Sequence, residues 1–526
     1  VEEVEPLVAA DLRHVVTEAL AREGHLFTAG EVVVLRRVLA LPPAATELYA
    51  RLVTRVGPAF RVAALAYGFD VPGALRVLRD ADLLHAALPD DRCVAAFDVP
   101  ALRDACRRLG VPATGTRPDL VGRLAGRRWR DEDVVMPSHV GLVRRALGLV
   151  LQRSGADFGV LVAERLGHVR FASYTPTGGP GLYPTRAAMR LRERAVAGAW
   201  ADPDEPLRVA RAGPRDPGPC AWRRAVDTVL SGPAPASVLA ELVEAGAPVR
   251  PRLARALEEE GRRPDALAVC RDPRATPEER VALRRIGRRF ARRGGVGWPP
   301  DPEAAWRTRT LRLERDGTRG GRPTWRTPEG PRHVERAVLA LPALRARGAV
   351  HAENGLWTSL YALVFRDLYW LPVPGMLPGP RRRGPRDVGT PGFLRRRRAE
   401  VEARLEALRQ EGPARWVHGW DGEELAGMSI VERMHEVVSS IPGPWAAAVL
   451  TRLAREGWDA ARGLPDLWIP GGAAARVDGL IAPTLGNAPL LVEIKGPGDT
   501  IRDAQAAWME WLWKCGIPVE SWHVVE

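Results

Sequence analysis

Apolar positions in the first part of the chain fall at helical spacing. From Asp11 to His85 they recur every three or four residues with short breaks between runs. Thr28 precedes Glu31 by three residues, the arrangement in which a hydroxyl and a carboxylate each satisfy a free amide at a helix start, and Leu48, Leu52 and Arg55 follow the Pro42-Pro43 break. These short helices, with Arg61 to Leu84 beside them, predict a winged-helix-like domain over residues 1–92 without chemistry of its own. From Phe97 to Leu124 the pattern predicts two short helices: Val99, Leu102, Cys106 and Leu109 share one face, Gly110 ends it, and Leu120, Val121 and Leu124 form the second. Residues 131–345 read as further helical pairs, among them Arg250 to Glu260 and Pro264 to Arg271, with a single tetratricopeptide-type turn around Gly261 and Ala266. The stretch Gly294 to Pro331, rich in Gly, Arg and Pro, is expected to be a linker or a long mobile surface loop. Leu490 to Lys495 then reads as a buried strand, Asp503 to Lys514 as a helix with Ala504, Ala507, Trp508, Trp511, Leu512 and Cys515 on its apolar side, and Val519 to Val525 as another strand. The expected fold is therefore multidomain: mainly α-helical over the N-terminal two-thirds, with a C-terminal α/β core in which helices flank a mixed sheet.

Composition narrows this picture. Hydrophobic residues at 46% and charged residues at 27% are ordinary for a globular protein and argue against wholesale disorder. Lys and Arg outnumber Asp and Glu by 77 to 64, a basic excess that favours a polyanionic partner. The excess is modest for 526 residues, so the placement of the arginines matters more than the sum. Helix Leu283 to Arg293 puts Leu283, Ile286 and Phe290 on one side and six arginines elsewhere, and the segment Arg381 to Arg398 is similarly basic; both are candidate phosphate contacts. The apolar run Leu356 to Leu371 carries Arg366 and Asp367 at its centre, which a bilayer would penalise by about 2.5 to 3.5 kcal/mol each, so it reads as buried helix and no membrane partner is expected. Cys93, Cys106, Cys220, Cys270 and Cys515 are scattered without metal-ligand spacing, which fits a reducing, cytoplasmic setting. Val1 to Val16 lacks the order of a signal peptide.

Only two lysines occur, Lys495 and Lys514. In a chain that otherwise uses arginine, Lys495 within an acidic motif suggests a compact ammonium for which guanidinium is no substitute. Leu-Leu-Val-Glu-Ile-Lys ends an apolar strand with two charges, and the period of two puts Glu493 and Lys495 on one face while Ile494 points to the other. Upstream, Gly463 to Ile469 is a turn leading into a short apolar strand with Asp466 at its mouth. Two carboxylates brought together repel unless a cation lies between them, so Asp466 and Glu493 are candidate ligands for a hard divalent ion, with Lys495 beside it to position or deprotonate water and to offset charge on a phosphate. These are the parts that metal-assisted phosphodiester hydrolysis requires.

The segments Arg462-Gly463-Leu464-Pro465-Asp466-Leu467 and Val492-Glu493-Ile494-Lys495-Gly496-Pro497, then Asp499 and Gln505, together with His351-Ala352-Glu353-Asn354 upstream, resemble the PD-(D/E)xK nucleases, specifically the VRR-NUC domain of the Fanconi-associated nuclease family. The helix pair at Phe97 to Leu124, with Gly115, Thr116 and Arg117 at its turn, resembles a SAP module, in which Thr116 would cap a helix whose first amides hold a DNA phosphate. The resemblance implies a bacterial-type member divided into the helical domain (1–92), a SAP-like module (93–130), a helical repeat region (131–345) and the nuclease domain (346–526). It adds Glu353 as a catalytic and metal-binding acid, the backbone carbonyl of Ile494 as a ligand beside Asp466 and Glu493, and Arg462 and Gln505, with Thr116 and Arg117, as DNA-binding candidates. It implies Mg2+ or Mn2+, double-stranded branched DNA as partner, cutting near a 5′ flap, 5′ to 3′ exonuclease action and help in unhooking interstrand crosslinks. Between Asp466 and Glu493 stand 26 residues, longer than the family norm, with Gly471 to Pro489 the expected insertion, a hairpin beyond the metal site or an element that alters flap access. Two alternatives share these residues: a nonenzymatic branched-DNA scaffold with a decayed site, and a restriction- or resolvase-type endonuclease on the same core.

Overall fold

A computed structural model describes all of the chain except residues 1–6, 56, 58, 86–95, 127–133, 152–162, 165–166, 178–182, 215–219, 300–305, 354, 378, 380, 419, 421–424, 429–433 and 481–483. Asn354, Cys93 and the expected boundaries near 92 and 130 lie outside the described residues. Two compact units emerge, one of residues 1–171, 178–189 and 378–382, the other of 172–177, 190–377 and 383–526.

In the first unit, helices Leu7–Glu23, Ala29–Leu39, Pro43–Thr54, Val71–Asp80 and Val140–Val150 bury Leu12, Val15, Leu48, Leu52, Leu75, Val143 and Leu147 in one core. That core therefore reaches past the SAP-like segment to take in Val140–Val150. The Thr28 amide donates to Glu31 at 2.8 Å and the Glu31 amide to the Thr28 hydroxyl at 3.2 Å, the reciprocal cap expected from their spacing. Strands β1 (Phe60–Arg61) and β2 (Val134–Val135) pair antiparallel. Helices Val99–Arg108 and Arg117–Leu124 keep a small core of their own around Phe97, Leu102, Cys106, Leu120 and Leu124.

After the end of helix Arg186–Ala197, the described residues of the second unit form six helices from Glu205–Arg211 to Pro277–Gly294 and continue into a mixed sheet. Here the expected linker at Gly294 to Pro331 is overturned. Arg307–Arg312 is strand β3 of the sheet, and Arg315–Arg319 (β4) with Arg322–Trp325 (β5) forms a hairpin. The Arg-Thr-Arg-Thr-Leu-Arg run does alternate, but arginine conceals the apolar signal: Leu311 and Trp325 carry the burial, and Arg309 is held by Glu520 at 2.8 Å. The remaining strands are β6 (Val350–His351), β7 (Leu467–Ile469), β8 (Ala475–Arg476), β9 (Thr484–Leu485), β10 (Leu490–Lys495) and β11 (Val519–Val525). The five-stranded sheet has the order β3-β11-β10-β7-β6. β10 and β11 run parallel, so the chain must cross over between them, and helix Asp503–Lys514 makes that crossing. β7 lies antiparallel to both β10 and β6.

The apolar run Leu356 to Leu371 forms two helices, Gly355–Val364 and Arg366–Tyr369, its aliphatic and aromatic side chains buried against helix Gly443–Glu456 and Trp468. Arg404 grips the central Asp367 with two bonds of 2.7 and 2.6 Å. Among the described residues no helix is long and apolar enough to cross a membrane.

Candidate functional site

The register of the sheet builds the site. β10 pairs with β7 as Leu490↔Ile469, Leu491↔Trp468 and Val492↔Leu467, so one further step sets Glu493 opposite Asp466. β6 pairs as Val350↔Trp468 and His351↔Leu467, and one further step sets Ala352 beside Asp466, whose carbonyl accepts from the Ala352 amide at 2.7 Å. Opposed residues of an antiparallel pair project to the same face with Cβ atoms about 5 Å apart. The ladder itself thus brings Asp466 and Glu493 together, and Glu353 follows at the turn into helix Gly355–Val364.

Asp466, Glu493 and Lys495 are 7%, 1% and 6% exposed. Asp466 Oδ2 accepts from the Ile494 amide at 2.7 Å. In an extended strand the N–H and C=O of one residue point to the same edge, so the Ile494 carbonyl also lies on the Asp466 side, consistent with the ligand role expected for it. Lys495 Nζ lies 2.9 Å from Glu493 Oε1 and donates to Gln505 Oε1 at 2.9 Å. Glu493 Oε2 is buried and has no hydrogen-bond partner among the described residues.

Burial first, and then the charge of neighbouring carboxylates, push both carboxyls above the ordinary carboxylate range. For Asp466 the largest cause is desolvation, followed by the charge of Glu493; the Ile494 amide opposes them, and Glu335 and Glu353 add to the repulsion. For Glu493 desolvation leads again and the charge of Glu353 adds to it, while Lys495 and a hydrogen bond with the Asp466 carboxyl pull the other way. Acids held in a dry cluster with too few donors are the environment that a bound cation relieves. His351, Glu353 and Asp466 place one ligand atom each within 4.8 Å of one another, with His351 Nε2 at 4.0 Å from Glu353. Nitrogen and carboxylate oxygens in that set, with the Glu493 carboxyl against Asp466, suit a divalent metal.

Of the residues picked from sequence, Asp466, Glu493, Lys495, Glu353 and the Ile494 backbone converge here. Gln505 does too, but in an unexpected capacity: its amide bridges Lys495 and Glu493 instead of facing outward as a DNA contact. Arg462 sits in the turn Trp458–Gly463, 79% exposed and 3.6 Å from Asp459. Thr116 and Arg117 belong to the other unit. There the Asp119 carboxylate accepts from both the Thr116 amide at 2.8 Å and its hydroxyl at 2.7 Å, so the protein's own anion already occupies that helix start.

Two residues escaped sequence reasoning. His351 was visible only as part of the His-Ala-Glu motif and enters as a third ligand atom. Glu335, on helix Val334–Leu339, contributes its field to Asp466 and has no motif to reveal it. The basic helix Pro277–Gly294 also departs from expectation: Arg284 pairs with Glu510 and Arg285 with Asp503 at 2.9 Å, both on the helix that carries Gln505. Within Arg381 to Arg398, Arg381 pairs with Glu164, Arg396 and Arg397 with Asp387, and Arg398 with Glu402, so these charges have protein partners already. The insertion between Asp466 and Glu493 contains the β8–β9 hairpin, buttressed by Val477, Leu480 and Leu485 in the core under the sheet.

Residues 407–526 match the VRR-NUC domain family. The chain is 29% identical to Fanconi-associated nuclease 1 of Homo sapiens over 203 residues, 36% of this chain and 19% of that protein. It is 29% identical to the Fanconi-associated nuclease 1 homolog of Pseudomonas aeruginosa over 302 residues, 52% of this chain and 48% of that protein. The matched region thus spans about a fifth of the animal relative and about half of the bacterial one. In fold the likeness extends along the whole chain: the crystal structure of paFAN1 bound to 2nt 5′flap DNA with gap superposes with a TM-score of 0.75 at 22% identity, covering 100% of this chain and 99% of that one. The crystal structure of paFAN1 bound to 1nt 5′flap DNA with gap gives 0.71 at 22% identity, covering 99% of each.

Proposed function

We propose, from the premise that this chain ends in a VRR-NUC domain and is a relative of the Fanconi-associated nucleases, that it is a metal-dependent, structure-specific DNA nuclease. Its substrate on this reading is branched duplex DNA with a 5′ flap, cut endonucleolytically and trimmed 5′ to 3′, in repair that includes the unhooking of interstrand crosslinks. The observation that carries the reading is the buried row of Asp466 opposite Glu493 with Lys495 alongside, at the open end of β10. The 5′-flap ligands named for the two structures of like fold support the choice of substrate. The further division into an N-terminal helical domain, a SAP-like module, a repeat region and a nuclease domain belongs to the same proposal, as does action in the bacterial cytoplasm at the nucleoid.

Glu353, Asp466, Glu493 and the Ile494 carbonyl would hold Mg2+ or Mn2+, with His351 adjacent. Such an ion, when bound, polarises a phosphoryl oxygen and makes water more acidic. The chain's own groups supply the rest. Asp466 and Glu493 fix the negative end of the site on a rigid strand pair, and the Ile494 amide holds Asp466 in one orientation. Lys495, 2.9 Å from Glu493, puts a compact cation where charge accumulates as the water oxygen bonds to phosphorus and a P–O bond breaks, the departing oxygen taking up a proton.

The test is cleavage of end-labelled 5′-flap, nicked and four-way duplexes in Mg2+, Mn2+ or chelator. Flap cutting that needs the ion and disappears in Asp466→Ala and Lys495→Ala is expected. Retained cutting by Asp466→Ala overturns the reading; binding without cutting in any ion points to a scaffold, and preference for the four-way duplex to a resolvase.

A further inference from the structure

We propose that Gln505 is a positioning residue that gives the two oxygens of Glu493 different tasks, reserving Oε1 for the protein's donors and Oε2 for the metal; this rests on the nuclease reading above. A side-chain amide has an acceptor end and a donor end, and its neighbours decide which way it faces. The Arg502 amide and Lys495 Nζ, both able only to donate, lie 2.9 Å from Gln505 Oε1. The NH2 end must then face Glu493, and Nε2 donates to Glu493 Oε1. The same Oε1 is 2.9 Å from Lys495 Nζ.

Glu493 Oε1 therefore has two donors while Oε2 is buried with none among the described residues. A dry carboxylate oxygen without a nitrogen donor is costly, and its neighbour on that side is the Asp466 carboxyl, so the two acids together present oxygens that a cation would bridge. The carrier of this amide is stiff. Helix Asp503–Lys514 is pinned by Trp508, whose indole N–H reaches the Ala460 carbonyl, and by the part-buried Arg284–Glu510 pair. Without Gln505, Lys495 becomes free to engage either oxygen of Glu493, and the metal must compete with an ammonium for Oε2. A DNA contact at this position predicts the opposite outcome, a loss of affinity for DNA with the metal site intact.

The experiment compares wild type with Gln505→Met, which keeps the length and packing of the side chain, and with Gln505→Glu, which keeps the acceptor but loses the donor. Mn2+ binding is titrated by electron paramagnetic resonance without DNA, 5′-flap binding is measured in Ca2+, and kcat and KM are separated in Mg2+. Both variants are expected to bind Mn2+ about 10- to 100-fold more weakly and to lose kcat, with KM and flap affinity within about twofold. Weakened flap binding with unchanged Mn2+ affinity, or wild-type behaviour throughout, overturns the proposal. If wild type cuts nothing, the nuclease reading fails, and the Mn2+ titration still decides the role of Gln505; a variant whose thermal unfolding shows it misfolded is replaced in the comparison by the other.

Discussion

Asp466 illustrates how one side chain is held at a cost to stability. Its carboxyl and that of Glu493 have folded-state affinities for protons above those of the unfolded chain, because burial and repulsion disfavour their charges. For an acid shifted upward, the folded state binds more protons than the unfolded one, so stability falls as pH rises from the ordinary carboxylate range towards the raised value. Asp466→Asn removes one charge while keeping the shape and is expected to stabilise the metal-free protein at pH 8 by about 1 to 3 kcal/mol, and to gain little at pH 4. Thermal unfolding in chelator at the two pH values measures this, and lower stability of the variant at pH 8 would contradict it. Divalent ion should narrow the gap by stabilising wild type alone. Gly463 shows the same economy of space. A Cβ there would meet the Ala504 carbonyl oxygen at 2.5 Å and the Trp508 ring at 2.9 Å, so Gly463→Ala must push helix Asp503–Lys514, and with it Gln505, away from the strand end. We expect a loss of about 1 to 3 kcal/mol in denaturant unfolding together with lowered kcat. The Gly-Leu-Pro-Asp motif was legible as a turn, but the reason for its glycine lies in a helix some forty residues further on, which no local pattern reveals.

At the level of elements, strands and their ends were legible where apolar residues dominate. Leu490–Lys495 and Val519–Val525 appear where hydrophobic runs predict them. Arg307–Arg312 escaped because its alternation is of arginine and threonine, and its placement beside β11 follows from a pairing across more than two hundred residues. The same distance hid the partners of helix Pro277–Gly294. Its arginines have few acidic neighbours in sequence, yet Arg284 and Arg285 meet Glu510 and Asp503 across the fold. The two pairs should differ in worth. Arg284 and Glu510 are 32% and 18% exposed, whereas Arg285 is 64% exposed and solvent screens its charge. Double-mutant cycles to alanine are expected to give a coupling of about 1 kcal/mol for Arg284–Glu510 and below about 0.5 kcal/mol for Arg285–Asp503. Equal couplings would mean that helix position, and not burial of the pair, sets the energy. The hairpin inside the insertion is tied down in a comparable way: Arg347 donates to the Ala473 and Gly486 carbonyls, each at 2.6 Å, and the Arg312 amide to Gly479 at 2.8 Å. Gly479 has a φ of +82° and its Cβ position lies 2.2 Å from the Arg312 carbonyl oxygen, so glycine alone fits there.

Across the whole molecule, the net charge of +13 says less about DNA than the number of arginines suggests, because so many are paired with carboxylates of the same chain. The charges that decide a phosphate path have to be found one at a time, and salt dependence finds them. Removing a single cation that touches a phosphate reduces the slope of log affinity against log salt by about 1, whatever the DNA sequence. The family resemblance makes Arg462 near the nuclease site and Arg117 in the SAP-like pair candidate phosphate contacts; on that expectation Arg462→Ala and Arg117→Ala, each made in Asp466→Asn to prevent cutting, should lower the slope by about 1 and weaken flap binding several-fold at low salt. Thr116→Ala should act differently. The Thr116 hydroxyl and amide both donate to Asp119, so its removal loosens the helix start without removing a cation, and the slope should stay as it was while stability falls by about 1 kcal/mol. Fluorescence anisotropy of a labelled 5′-flap duplex over a range of KCl concentrations separates these cases. An unchanged slope in Arg117→Ala would remove the SAP-like pair from the DNA path and leave recognition to the unit that contains the nuclease sheet.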